Sequence, residues 1–121
     1  MNFKYNFSIM KNKSVYFKIN DKYIGGVLKS VKTKQDQFIF IFEDKQLGVN
    51  QIYFSGLKTS LINNKVVFSK TNNNLINGLF GFTMFDTFGF PFELTDEMLK
   101  ESGYELDMEG VNIFKQVQKM S

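Results

Sequence analysis

Within the first 70 residues, stretches of the chain alternate apolar and polar side chains, whereas in the last 50 apolar side chains recur at every third or fourth position. Ser14 to Ile19 sets Val15, Phe17 and Ile19 against Tyr16 and Lys18, the period-2 signature of a half-buried strand. Asn20-Asp21-Lys22 then supplies turn chemistry before a strand over Tyr23 to Lys32. Gly25-Gly26 removes two side chains from that strand and predicts a bulge, a sharp bend or the close approach of another backbone. Phe38-Ile39-Phe40-Ile41-Phe42 is apolar on both faces, which predicts a central strand with helices on one side and a curved sheet on the other. Tyr5 to Met10 is expected to form an edge strand. Gln51 to Phe54 and Leu61 to Ser69 complete the set, with Asn63-Asn64 as the tip of a tight hairpin. Five or six short strands within 70 residues predict a small antiparallel barrel, of oligonucleotide-binding or SH3-like type, or a strongly twisted sheet.

Thr71-Asn72-Asn73-Asn74 interrupts this pattern and divides the chain into a β module, 1–72, and a helical module, 73–121. Beyond it Leu79, Phe82 and Phe85, with Ile76, recur at helical spacing toward Phe88-Gly89. Gly89 suits a left-handed cap, and Pro91, the sole proline, prevents continuation. Thr95 is expected to cap a second helix, with Asp96 and Glu97 in its first turn and Gly103 as its stop. Asp107 is expected to cap a third, whose Val111, Phe114 and Val117 line one face with Ile113 beside them. The predicted class is α+β, a small β-barrel or twisted sheet followed by a compact three-helix segment.

Composition narrows the chemistry. A chain of 121 residues suffices for one ordinary core, burying roughly two thirds of its unfolded surface. Cysteine and histidine are absent, which excludes disulfides, thiolate nucleophiles, imidazole bases and the common zinc sites. Serines and threonines therefore lack a histidine partner, Gly25-Gly26 is not followed by a phosphate-loop pattern, and neither a catalytic constellation nor a cofactor is expected. No run of 18 apolar residues exists, and Met1-Asn2-Phe3-Lys4-Tyr5-Asn6 lacks the features of a signal peptide, so a cytoplasmic protein without a membrane partner is expected. Abundant Asn, Lys, Ile and Phe without arginine suit an AT-rich genome, such as that of a low-GC bacterium or its phage.

Charge separates the two modules. Residues 1–70 carry twelve lysines against four acids, and residues 71–121 three lysines against eight, giving +8 and −5. Such asymmetry suits a surface that attracts polyanions; the alternative is lysine that merely solubilises the outward face of a sheet.

The run Asp86-Thr87-Phe88-Gly89-Phe90-Pro91-Phe92-Glu93-Leu94-Thr95 resembles a segment at the end of the aminoacylation domain of alanyl-tRNA synthetase. There the pattern reads Asp-Thr-Tyr/Phe-Gly-Phe-Pro, a variable residue, an acid, then Leu-Thr. The resemblance continues through Leu106, Asp107 and Gly110 to Gln118-Lys119, covering about 76–121, with nothing similar in 1–70. Lys115 departs from it, since a large apolar residue is expected there and Phe114 stands one place earlier, implying a rotated or repacked last helix. Class II synthetases grip ATP and the adenylate with arginines, and the family's editing site is built on His and Cys. A chain without any of the three is expected to have neither activity.

What the resemblance implies is recognition. Asp86 matches the family's acid placed at the acceptor stem, reading a G·U pair from the minor groove, where a carboxylate accepts from the guanine amine. The alternative is that Asp86 caps a turn while Gly89, Phe90 and Pro91 preserve a helix corner. Phosphate contacts are expected from Lys11, Lys13, Lys18, Lys22, Lys29, Lys32 and Lys34, and base stacking from Tyr16, Tyr23 and Tyr53. Lysine without arginine implies shape-directed, salt-sensitive binding. The first expectation is a non-catalytic protein that engages a structured RNA, such as a tRNA-like stem or a guide RNA, or its ribonucleoprotein. An anti-CRISPR inhibitor of an RNA-guided nuclease is one form of it, and no small-molecule substrate is expected. The competing readings are a protein-interaction module using the acidic helices, and a small enzyme.

Overall fold

The period-2 stretches pair into one six-stranded sheet in the order β4-β3-β2-β1-β6-β5. Its strands are β1 (Ser14–Ile19), β2 (Lys22–Lys34), β3 (Gln37–Asp44), β4 (Gly48–Phe54), β5 (Leu57–Ile62) and β6 (Lys65–Lys70). The computed structural model describes residues 3–34 and 37–119. β1 to β4 form an antiparallel meander, but β6 lies parallel to β1, so β1 is interior although it comes first in the chain. With β4 and β5 at its edges the sheet is open; it is the twisted-sheet alternative and not a barrel, and one of its pairs is parallel. Asn63 and Asn64, at φ 51° and 63°, form a two-residue loop between the paired Ile62 and Lys65. Both φ values are those of a type I′ hairpin turn, as the Asn-Asn pair predicts.

Three strand expectations are corrected. Tyr5 to Met10 is not an edge strand: Phe7–Met10 is a 3-10 turn capped by the Asn6 side chain, which accepts from the Ser8 N–H at 3.0 Å. That local bond competes with ladder pairing, and Tyr5, Phe7 and Ile9 pack on the core from an irregular strap. The bulge of β2 lies between Leu28 and Ser30, not at the glycines. Gly26 instead makes room for the Phe42 ring, which a Cβ there would strike. On β3 the Phe38, Phe40 and Phe42 face is buried, whereas Ile39 and Ile41 are only half-buried on a face that no helix covers.

The core lies between the inner face of the sheet and two of the three helices, α1 (Gly78–Phe88), α2 (Phe92–Glu101) and α3 (Met108–Lys119). Phe17, Phe40 and Phe68 are fully buried, with Phe40 stacked on Phe68 at 4.8 Å, and Leu79 and Phe82 of α1 and Ile113, Phe114 and Val117 of α3 close over them. Each fully buried phenylalanine contributes on the order of 2 kcal/mol of burial free energy. One cluster therefore joins the sheet to the helices. A second, with Phe80, Phe92, Leu99, Leu106 and Val111, fills the space among the helices.

Helix starts follow capping chemistry, with two corrections. Ile76 belongs to a short strand β7 (Leu75–Ile76), parallel to β8 (Glu105–Leu106), and α1 begins after Asn77. The Asn77 side chain accepts from the Leu79 N–H at 2.9 Å and donates to the Leu57 carbonyl and Thr59 hydroxyl at 3.0 and 2.8 Å, fixing α1 to β5. Thr95 does not cap α2; Pro91 occupies the N-cap position at φ −58° and ψ 146°, its carbonyl accepting from the Thr95 N–H at 3.2 Å, so Thr95 lies buried within the helix. Asp107 does cap α3, accepting from the Gly110 N–H at 3.2 Å. At Gly78 a Cβ would overlap the backbone of Gly110 and Val111, so glycine sets how closely α1 and α3 approach.

Candidate nucleic-acid interface

Strand alternation places Tyr16 and Lys18 of β1 on the outer, uncovered face of the sheet. Tyr16 pairs in register with Gly25 and Val67, and Lys18 with Tyr23 and Ser69, which brings three strands together there. Lacking a side chain, Gly25 leaves space for the Tyr16 ring. The rings of Tyr16 and Tyr23 meet edge to face at 6.3 Å. Lys18 Nζ lies 5.9 Å from the centre of the Tyr23 ring and Lys65 Nζ 5.3 Å from that of Tyr16, within cation–π range. Tyr23 is 50% exposed, and with Tyr16, Ile62 and Asn63 it lines a shallow concavity.

A second group lies on the same face at the far end of β2. Lys32 pairs with Ile39, and Ile39 with the exposed Tyr53, forming one cross-strand row, with Lys34 beyond it. Nine residues of strand separate Tyr23 from Lys32, about 30 Å at strand rise. Lys58 of β5, opposite Ser69, adds a cation on the near side. Lys58 and Lys65 were not among the sequence candidates. Their signal is the period-2 pattern of the Asn63-Asn64 hairpin, but placing them beside Tyr16 requires knowing that β6 pairs with β1.

The other lysine candidates lie elsewhere. Lys11 and Lys29 line a cleft of about 250 Å³ with Phe7, Ser8, Leu28, Ser30 and Val31. Lys29 is engaged there by Glu43 at 3.6 Å and by the Asn12 side chain at 3.5 Å. Lys13 is half-buried beside this turn, and Lys22 is exposed at the β1–β2 hairpin.

Asp86 is exposed on the last turns of α1, with the core between it and the outer face of the sheet. The structure does not bring it together with the tyrosines and lysines. Nor does it close the helix corner: Gly89, at φ 71°, does so, with its own N–H and that of Phe90 donating to the carbonyls of Phe85 and Met84. Phe85 and Phe88 are about half exposed, and Phe85 stacks on Phe92 at 4.8 Å. Lys115 Nζ lies 4.4 Å from the centre of the Phe92 ring, while Phe114 fills the buried position. The lysine that departs from the expected apolar residue thus packs over an aromatic ring of the same corner.

The one buried carboxyl that stands out is Asp107. Loss of solvent pushes its pKa up, and the Gly110 N–H and the Lys58 charge oppose this only in part. Its second oxygen has no hydrogen-bond partner among the described residues. Among the described residues no cluster of acids is placed to hold a metal ion, and no helix is long and apolar enough to cross a membrane.

Comparison with known proteins extends the likeness beyond the helices. The model of the family described as tRNA synthetases class II (A) matches residues 15–121, so the absence of any likeness in 1–70 does not hold. Similar curated proteins include the alanine–tRNA ligase of Flavobacterium psychrophilum, 32% identical over 96 residues covering 79% of this chain and 10% of that enzyme. The alanine–tRNA ligase of Buchnera aphidicola subsp. Schizaphis graminum is 36% identical over 81 residues, 63% of this chain and 9% of the relative. That of Picosynechococcus is 60% identical over 35 residues, 29% of this chain and 4% of the relative. The chain spans about a tenth of the length of the first of these relatives. No solved structure matches it.

Proposed function

Given that this chain belongs to the class II alanyl-tRNA synthetase family, we propose that it is a non-catalytic protein that binds a structured RNA, a tRNA or tRNA-like stem, through the outer face of its sheet. The observation that carries this reading is the pairing of Lys18 with Tyr23 and of Lys65 with Tyr16 on a face the helices leave open. Lysines attract the phosphate backbone as point charges, and a tyrosine presents a flat ring on which an unpaired base stacks. The rows at the two ends of β2 provide contacts about 30 Å apart, suited to a folded RNA rather than to one nucleotide. The absence of arginine, histidine and cysteine supports the non-catalytic part of the reading.

Asp86 enters as a separate contact. Exposed on α1, its carboxylate is free to accept from a guanine amine in a shallow minor groove, but only on an RNA that reaches around the molecule. The inhibitor form of the reading, directed at an RNA-guided nuclease, draws no support from relatives that are alanine–tRNA ligases.

Fluorescence anisotropy with tRNA and with short stem-loops across a salt series tests the proposal. Binding at low salt that falls steeply as salt rises is expected; no binding at low salt overturns it. The competing protein-interaction reading is favoured by one observation, the exposed Phe85, Phe88, Leu94 and Met98 among the acids of α1 and α2. Retained RNA binding after Phe88→Ser and Leu94→Ser would separate the two surfaces.

A further inference from the structure

Edge strands of soluble proteins are normally guarded against pairing with other chains by charged residues, prolines, bulges or a covering element. β4 carries none of the first three. Its residues Gly48-Val49-Asn50-Gln51-Ile52-Tyr53-Phe54 include no charge and no proline, and its seven pairs with β3 run without a register break. Among the described residues β3 is the one element packed extensively along it. The opposite edge differs: β5 carries Lys58, and α3 and β7 pack along it. The outer side chains of β4 are also unusually exposed, Val49 at 69% and Tyr53 at 55%.

We propose that β4 is a self-association edge, pairing antiparallel with β4 of a second copy about a twofold axis through Gln51. Gln51 is the midpoint of the strand, so this register overlaps all seven residues, setting Gly48 against Phe54 and Asn50 against Ile52 of the other copy. It also sets Val49 of each copy opposite Tyr53 of the other, a β-branched and aromatic cross-strand pair formed twice, covering the two most exposed apolar side chains of the strand. A strand without charge meets its own copy without repulsion, which is what an isologous contact requires. The twofold axis stands perpendicular to the sheet, so the outer faces of both copies merge into one surface of twelve strands. A seven-residue edge spans about 24 Å, placing the contact at the small end of specific interfaces and making association concentration-dependent. The inference does not rest on the RNA reading.

Sedimentation velocity of the full chain over a concentration series, without RNA, tests it. A monomer–dimer equilibrium is expected, weakened roughly tenfold or more by Val49→Lys, which loses two cross-strand pairs and puts a charge on an edge strand that otherwise carries none. Circular dichroism and thermal melting of the variant, altered at an exposed site, establish that it folds. Because the chain has no cysteine, Gln51→Cys gives a single reporter, expected to yield a disulfide-linked dimer under mild oxidation. A wild-type chain that stays monomeric at millimolar concentration overturns the proposal. So does a dimer that a folded Val49→Lys leaves unchanged, or one in which Cys at position 51 does not crosslink.

Discussion

The outer face of the sheet and the corner between α1 and α2 both expose aromatic rings beside charges, with opposite sign. On the sheet, Lys18 and Lys65 lie over tyrosine rings, and Lys32, Lys34 and Lys58 extend the positive field. At the corner the exposed acids Asp86, Glu93 and Glu97 are carried by the same two helices as the exposed Phe85 and Phe88, and Lys115 packs on the ring of Phe92. An aromatic ring alone does not identify a nucleic-acid surface. The sign of the neighbouring charge decides whether a phosphate backbone is drawn to it or held away.

The largest effect that separates the two regions is removal of charge. Replacing Lys18, Lys32, Lys58 and Lys65 together by glutamine is expected to weaken RNA binding by roughly a hundredfold or more. It should also flatten the salt dependence by about 0.9 log unit per lost duplex phosphate contact, read by anisotropy across salt. Replacing Glu93 and Glu97 by glutamine should leave affinity equal or slightly tighter; a comparable loss there would erase the distinction between the faces.

Next in size is stacking. Tyr23→Ala is expected to cost about 1–3 kcal/mol of affinity for an RNA with unpaired bases and little for a fully paired stem, whereas Phe88→Ala should change neither. Equal losses for both RNAs would assign the tyrosine a structural role instead.

A smaller effect concerns how the helical side is anchored. The pKa of Asp107 is raised by burial, so the folded state holds its proton more tightly than the unfolded chain, whose value is near 3.8. Its contribution to stability is therefore greatest at acid pH and declines as pH rises from about 3.8 through the raised folded value. Asp107→Asn keeps a cap acceptor without the charge and should melt at the same or a higher temperature at pH 7, with that decline removed. Asp107→Ala loses the cap, worth about 1 kcal/mol. Thermal melts between pH 3 and 8 distinguish the outcomes, and RNA affinity should follow neither variant.

The smallest effect is expected at Lys115→Met, where an exposed cation–π contact of about 0.5–1 kcal/mol is exchanged for apolar packing on Phe92. The melting temperature should shift by a few degrees at most, with RNA binding unchanged. A marked loss of binding would make the corner part of the interface.

Much of this arrangement is legible along the chain because local chemistry decides it. Period-2 alternation marks β1 and β3, Asn63-Asn64 marks the hairpin, Gly89 ends α1 and Asp107 opens α3. What is illegible depends on contacts between distant residues. Nothing local states that β6 returns beside β1, so Lys65 over Tyr16 was beyond sequence reasoning. The same contact separates Asp86 from the lysines, since α1 lies on the face of the sheet that β1 and β6 turn inward. Thr95 shows the converse: its residue type and the acids after it suit a cap, but Pro91 opens the helix earlier.

The central place of β1 also shapes how the chain comes off the ribosome. Val15 pairs with Val66, about 50 residues later, so at roughly 5–20 residues per second one side of β1 stays unpaired for some 3–10 s, and for about the last dozen of those residues the β1–β4 meander beside it is already complete. During that interval the nascent sheet exposes two bare edges, and the phenylalanines meant for α1 and α3 face solvent. Early yield should accordingly depend on translation speed between residues 20 and 70, with slower codons or chaperone depletion raising aggregation.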